Sequence, residues 1–276
     1  MMKQLFQNAL ALPRILFGVN QPISKSGYRI LCFCLLATFL LLWQFTFPYI
    51  IPKLDKIWLE FLNHLYNNGL VFDLGSTLSL VLKGMFFSVL VAFFISYLGE
   101  TTNFFKPIAV VFEKFRFWSL FGFSPVIRVL AVEGDLLRLY LVMFAVVPFM
   151  VTSFNKVLLG VRRDPLYDYA YTLGFSELRA VFYVVFRSRL RMALIAIGSN
   201  FAIAWLVAPS AEVASRDAGG IGAMLYDAAR FVPGDNGYAG AFALQFVILG
   251  FGIFCDYLFG SLRKVLPEER AESKKI

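Results

Sequence analysis

Few residues in this chain could do chemistry, and their types and spacing point away from bond making. His64 is the only histidine, and no carboxylate pattern around it suggests a general base or a metal ligand. The three cysteines, Cys32, Cys34 and Cys255, fall in apolar runs, with the spacing of neither a metal site nor a disulfide framework. No Gly-x-x-x-x-Gly-Lys-Ser/Thr loop is present to cradle a nucleotide phosphate. No Ser-His or His-Asp constellation lies within an apolar stretch, which argues against a membrane acyltransferase or protease. What remains is a set of polar groups in or beside apolar runs: Arg128, Ser199, Asn200, Trp205 and Glu212. Their chemistry would be recognition and passage of a solute.

A cation inside a membrane span costs about 2.5 kcal/mol or more at the centre, so it usually faces a cavity or an acid. Arg128 therefore has two readings: it attracts an anionic solute, or it pairs with Glu133 or Glu212 near the end of a short span. Ser199, Asn200 and Trp205 either line a path or hold helices together, as small polar residues do in membranes. Glu212 follows Pro209 at the mouth of its span, and Lys83 is expected to snorkel outward.

The elements that must carry these residues are membrane spans. Across 276 residues the mean hydropathy is +0.70, with 59% hydrophobic and only 16% charged residues, far from the balance of a soluble domain. Crossing roughly 30 Å of hydrocarbon takes about 20 apolar residues. Six stretches are expected to do so: about Ile30–Ile51, Thr77–Leu98, Phe117–Val132, Leu136–Val161, Leu190–Ala208 and Ala239–Leu262. The runs are continuous rather than alternating, which disfavours a β-barrel. The expected organisation is a segment 1–29, one transmembrane domain 30–262 and a tail 263–276. The first run has no small-residue cleavage site after it and is expected to be retained as a span.

The net charge of +8 marks topology rather than nucleic-acid binding. With both termini inside, 19 of the 26 Lys and Arg fall in inside segments and five in outside ones, which carry nine acids. That asymmetry predicts a cytoplasmic location for both termini and for the segment 156–191.

That segment contains an unusual stretch, "DYAYTLGFSELRAVFYVVF", polar and glycine-broken between two apolar runs. Asp164-Pro165 is a strong helix start, because the Asp side chain accepts free amide protons and Pro tolerates the first position. Leu166, Tyr169, Ala170 and Leu173 form one apolar stripe, with Asp168 off it. Gly174 closes the helix and Ser176 is placed to cap the next. A nine-residue helix is too short to stand alone in water, so it must dock on something.

The spacing Asp168, Ala170, Gly174, Val184, Phe186 resembles the "EAA" loop of the membrane subunits of ATP-binding-cassette importers. "YAYTLGFSELRAVFYVV", together with "AIAWLVAPSAEVASRDAGGIGAMLYDAARF", is similar to the nitrate, sulfonate, taurine and bicarbonate permease family. The resemblance runs from about Ser76 to Lys264. The loop's final proline is Arg187 here, its leading acid is Asp168 with Tyr169 in place of an alanine, and the proline-rich entry to the third span is replaced by "EKFRFWSLFGFSP".

The resemblance implies an all-α, polytopic type I importer permease with a core over 76–262. Residues 165–175 would be the coupling helix, held on an ATPase subunit through Asp164, Pro165, Asp168, Tyr169, Ala170, Leu173, Gly174 and Ser176. It also implies a second permease copy, two cytoplasmic ATPase subunits that bind ATP and Mg, and a solute-binding protein meeting Asp217, Asp227 and Arg230. The chain would hold no cofactor of its own and would carry a small anionic solute by alternating access. A channel or ion-coupled transporter, which needs no ATPase-docking helix, is the alternative.

Overall fold

The computed structural model describes residues 25–46, 52–118, 120–130, 134–231 and 235–265. Among them every regular element is helical. The chain divides into two compact units, 1–57 and 58–276. The first contains α1, Lys25–Thr46, followed by residues that fold back on its end: Trp43 Nε1 donates to the Pro52 carbonyl at 3.1 Å, and the Leu54 amide to Gln44 Oε1 at 3.1 Å. α2, Leu54–Tyr66, begins there.

The second unit is built on four long helices. α3 runs Leu70–Thr101, starting after Gly69 in a left-handed conformation (φ 70°). Its buried positions include Gly84, Ser88, Ala92, Ser96 and Gly99, spaced three or four apart, which places them on one face. Small residues let two backbones approach without the side-chain layer that separates most helices. The approach is close: a Cβ on Gly84 would lie 2.6 Å from Val142 Cγ1, and one on Gly99 2.8 Å from Ala109 Cβ. The partner along most of this face is α6, Gly134–Leu158, which buries Leu141, Val142, Val146, Met150, Val151 and Phe154. Ser96 Oγ reaches across to the Val151 carbonyl at 3.3 Å. α4, Lys106–Lys114, covers the far end of the same face through Ala109.

α9, Leu190–Ala214, packs against α6 and α3 on one side and against α11, Asp235–Val265, on the other. Trp205 is the joint with α11: it is buried, its ring lies 4.8 Å from that of Phe251, and its Nε1 donates to the Ile248 carbonyl at 2.9 Å. Two short helices, α7 (Pro165–Thr172) and α8 (Glu177–Val184), precede α9, and α10, Ile221–Phe231, follows it.

Among the described residues five segments are long and apolar enough to cross a membrane: Gly27–Phe45, Leu70–Thr101, Gly134–Arg163, Glu177–Ala214 and Tyr238–Ser261. The expected third span, Phe117–Val132, is not among them. Its described part includes the helix α5, Leu120–Leu130, with Pro125 inside, while residues 119 and 131–132 of the expected span lie outside the described residues. Before it, Phe115–Phe117 make a single 3-10 turn and Trp118 is extended (φ −81°, ψ 137°). The second span is longer than expected, because Asp73 lies in its first turn instead of in a preceding loop. The remaining four expected spans fall on long helices.

Candidate functional site

At one end of the second unit, α6 finishes at Gly160, which is left-handed (φ 76°), and Val161–Arg163 make a 3-10 turn into α7. Asp164 caps α7, Oδ1 accepting from the Leu166 amide at 3.1 Å, with Pro165 in the first position. The helix closes as a Schellman motif: the Gly174 amide donates to the Tyr171 carbonyl at 2.9 Å and the Phe175 amide to Ala170 at 3.2 Å, with Gly174 at φ 80°. Ser176 occupies the cap of α8 in extended backbone, but its hydroxyl makes no capping bond. Start, stop and length agree with the sequence reading to within a residue or two.

The stripe does not. Ala170 is fully buried and Leu166 and Tyr167 are half-buried, whereas Tyr169 and Leu173 are 54% and 55% exposed. The face turned inward is Leu166, Tyr167 and Ala170, packed on Leu158, Val161, Val181 and Val184. Asp168, Tyr169, Tyr171, Thr172 and Leu173 face outward. A single short helix thus carries one apolar face for its own protein and a mixed aromatic and polar face left over.

Three side chains tie this unit to the long helices. Arg189 Nη1 donates to the carbonyls of Val157 and Leu159, both at 3.0 Å, and Nη2 to Gly160 at 3.4 Å; the same Nη2 lies 3.7 Å from Asp164 Oδ2. A guanidinium is thus set on the negative end of α6, where a cation is favoured, and bridges it to the cap of α7. Ser188 Oγ adds a bond to Asp164 Oδ2 at 3.1 Å. Arg162 Nη2 donates to the last carbonyl of α3, Thr101, at 3.1 Å. Tyr97 Oη, near the end of α3, donates to the Leu178 carbonyl of α8 at 2.6 Å. Between α8 and α9, Val185–Arg189 form a π-helical turn, so Arg187 stands within a widened turn where a proline would have broken the helix.

The other end of the unit is closed around Glu212, which is fully buried. Oε1 accepts from Thr77 Oγ1 of α3 at 2.6 Å, and Oε2 from the Gly222 amide of α10 at 2.8 Å. The Ile221 amide donates to Thr77 Oγ1 at 3.0 Å and the Gly220 amide to Asp73 Oδ1 at 3.2 Å. Gly220 and Gly222 are required by space: a Cβ on the first would lie 2.3 Å from Glu212 Oε1, and on the second 2.2 Å from the Pro209 carbonyl oxygen. Arg138 Nη1 donates to Ala218 at 3.0 Å while Nη2 pairs with Asp135 at 2.7 Å. Glu212 is thus a structural acid joining α3, α9 and α10. It is not Arg128's partner: Arg128 donates to the Ala214 carbonyl at the end of α9, and Glu133 lies outside the described residues.

The other polar residues separate. Asn200 is buried, Nδ2 donating to Ser153 Oγ at 2.9 Å and to Ala196 at 2.8 Å, and Trp205 is the joint with α11. Ser199 is exposed and bonds back to Ile195 at 2.9 Å. Asn200 and Trp205 therefore hold helices. Of the outer charges, Asp217 is exposed, Asp227 pairs with Arg216 at 2.8 Å and Arg230 rests on Tyr226.

A concave site that the sequence reading missed lies between α3 and α6. It is a groove of about 610 Å³, lined by Gly75, Ser76, Ser79 and Lys83 of α3 and by Asp135 and Arg138 of α6. Lys83 is exposed and meets no carboxylate or carbonyl among the described residues. Gly75, Ser79 and Lys83 recur every four residues, a polar lane on an otherwise apolar helix, and that periodicity was the available signal.

An all-helical chain with several apolar spans, closed at both ends by polar networks, is a multi-pass membrane protein. Compared with models of known protein families and with curated proteins, the chain matches none of them.

Proposed function

We propose that this chain is the membrane subunit of an ATP-driven importer, with α7 as the helix that an ATPase subunit grips. The observation that carries this reading is the construction of α7. A helix of eight residues is capped at both ends, its unit roped by Arg162, Arg189 and Tyr97 to two long helices, α3 and α6, and left with an outward face of Asp168, Tyr169, Tyr171, Thr172 and Leu173. A rigid, anchored helix of this kind transmits a rigid-body push, and its free face is suited to a protein groove better than to lipid, which does not favour the Asp168 carboxylate. The excess of Lys and Arg in the segment 156–191 supports a cytoplasmic location for that end.

In this reading the ATPase pair closes on ATP, the α7 helices of two permease copies are drawn together, and the path opens to the other side. The α3–α6 groove, with Lys83 as its unpaired cation, is the part of the path assigned to a small anionic solute delivered by a binding protein. Covalent chemistry stays with the ATPase partner.

The test is coexpression with the ATPase encoded beside the chain. The wild type is expected to copurify with it. Gly174→Pro cannot keep φ near +80°; it is expected to leave insertion intact and to cut uptake at least tenfold while ATPase activity persists. Failure to copurify, or wild-type uptake in the variant, would refute the reading.

A further inference from the structure

We propose that the cleft between the end of α3 and α8 binds an anionic phospholipid, acyl chain in the cleft and phosphate against Arg179 and Arg187. The cleft is an open groove of about 480 Å³ walled by Tyr97, Phe175, Leu178, Phe182 and Tyr183. Of its two hydroxyls, from Tyr97 and Tyr183, Tyr97 Oη already donates to the Leu178 carbonyl. An interior of this kind offers nothing to a free hydrated anion and a good surface to hydrocarbon.

The rim differs from the wall. Arg179 and Arg187 both line the cleft and are exposed. Among the described residues neither guanidinium meets a carboxylate or a carbonyl. Two unpaired cations beside an aromatic slot complement a ligand with a negative head and an apolar tail. The level in the membrane agrees: Tyr97 lies one turn from the end of the Leu70–Thr101 span, and Leu178 to Tyr183 open the Glu177–Ala214 span, so the cleft sits where two spans meet the headgroup layer. In a bilayer the neighbour at that level is lipid, and aromatic side chains settle there. Arg187, which finds no partner in the capped unit beside it, acquires a role as a headgroup ligand. The contact of Tyr97 with α8 forms one wall, so a bound lipid would brace the α7–α8 unit against α3.

This inference stands apart from the importer reading and is tested on the purified chain alone. Pyrene-labelled phosphatidylglycerol and phosphatidylcholine are titrated against the full-length protein in a neutral detergent. The wild type is expected to prefer phosphatidylglycerol by about 30-fold, the roughly 2 kcal/mol that two cations near an anionic lipid supply at 1.4 kcal/mol per decade. Arg179→Gln with Arg187→Gln should bring phosphatidylglycerol down to the phosphatidylcholine value, and Arg→Lys at both positions should restore most of the preference. Should the Gln pair fail to fold, a salt titration of the wild type gives the same reading: the preference must fall as salt rises. Equal binding of the two lipids, a preference unmoved by the Gln pair or by salt, or displacement by inorganic phosphate at roughly ten times a millimolar Kd would overturn the proposal. One-for-one displacement of the lipid by a purified ATPase partner would make the cleft a protein interface instead.

Discussion

Replacing Arg189 with alanine should release the α7 unit from α6 without touching its outward face. The side chain makes three hydrogen bonds to the carbonyls of Val157, Leu159 and Gly160 and an ion pair with Asp164, and both charged side chains are only 17% exposed. Hydrogen bonds from a charged donor contribute about 1.5–3 kcal/mol each when well formed. Here one of the three is long at 3.4 Å and the ion pair is open at 3.7 Å, so the sum is discounted to about 3 kcal/mol. That figure also includes leaving the Asp164 carboxylate short of one partner. The loss is local, because the carbonyls belong to the last turn of one helix and the turn after it. Amide hydrogen exchange over residues 157–175 reads local opening directly. An opening free energy lowered by about 3 kcal/mol speeds exchange by roughly 150-fold. Asp164→Ala should act on the same amides by about 1 kcal/mol, the value of a lost helix cap, and the double variant should fall short of the sum, since the two residues share a contact. Exchange in Arg189→Ala within threefold of wild type would refute the clamp, whatever uptake shows.

Two further outcomes are expected. Gly222→Ala drives a methyl into the Pro209 carbonyl and should destabilise the α9–α10 junction by at least about 2 kcal/mol, seen as a lower unfolding temperature in detergent; an unchanged midpoint would mean that the junction has slack. His64 is buried with its Nδ1 bonded to Asn68, and burial holds its pKa below the usual histidine value, Glu60 only partly opposing. A folded pKa below the unfolded one favours the neutral ring, so stability is full above about pH 6.5 and declines as the pH falls through the unfolded value; His64→Gln should flatten the unfolding temperature between pH 7 and pH 5, and a wild type with no such slope would contradict the burial argument.

Legibility in the sequence followed the range of the interaction. α7 was readable because its signals are local: Asp164 and Pro165 start it, Gly174 stops it, and each acts within four residues. Which face of α7 is buried was not, because Tyr169 and Leu173 are as apolar as Leu166 and Tyr167, and only the neighbouring Val181 and Val184 decide between them. The role of Glu212 depended on Thr77, 135 positions away, and on glycines that admit its carboxylate, neither of which a local pattern reports. Lys83 looked like a lone snorkelling lysine until Arg138 and Ser76, from two helices, were placed around it.

The seam of small residues between α3 and α6 has a mechanical meaning. From Gly84 to Ser96 the two backbones run together for about 18 Å with almost no compressible layer between them, and close-packed interiors yield little. Such a pair bends as one beam. Its one end carries the Arg162 and Arg189 anchors and its other end Thr77, Glu212 and the groove by Lys83, so a displacement of either end arrives at the other undamped.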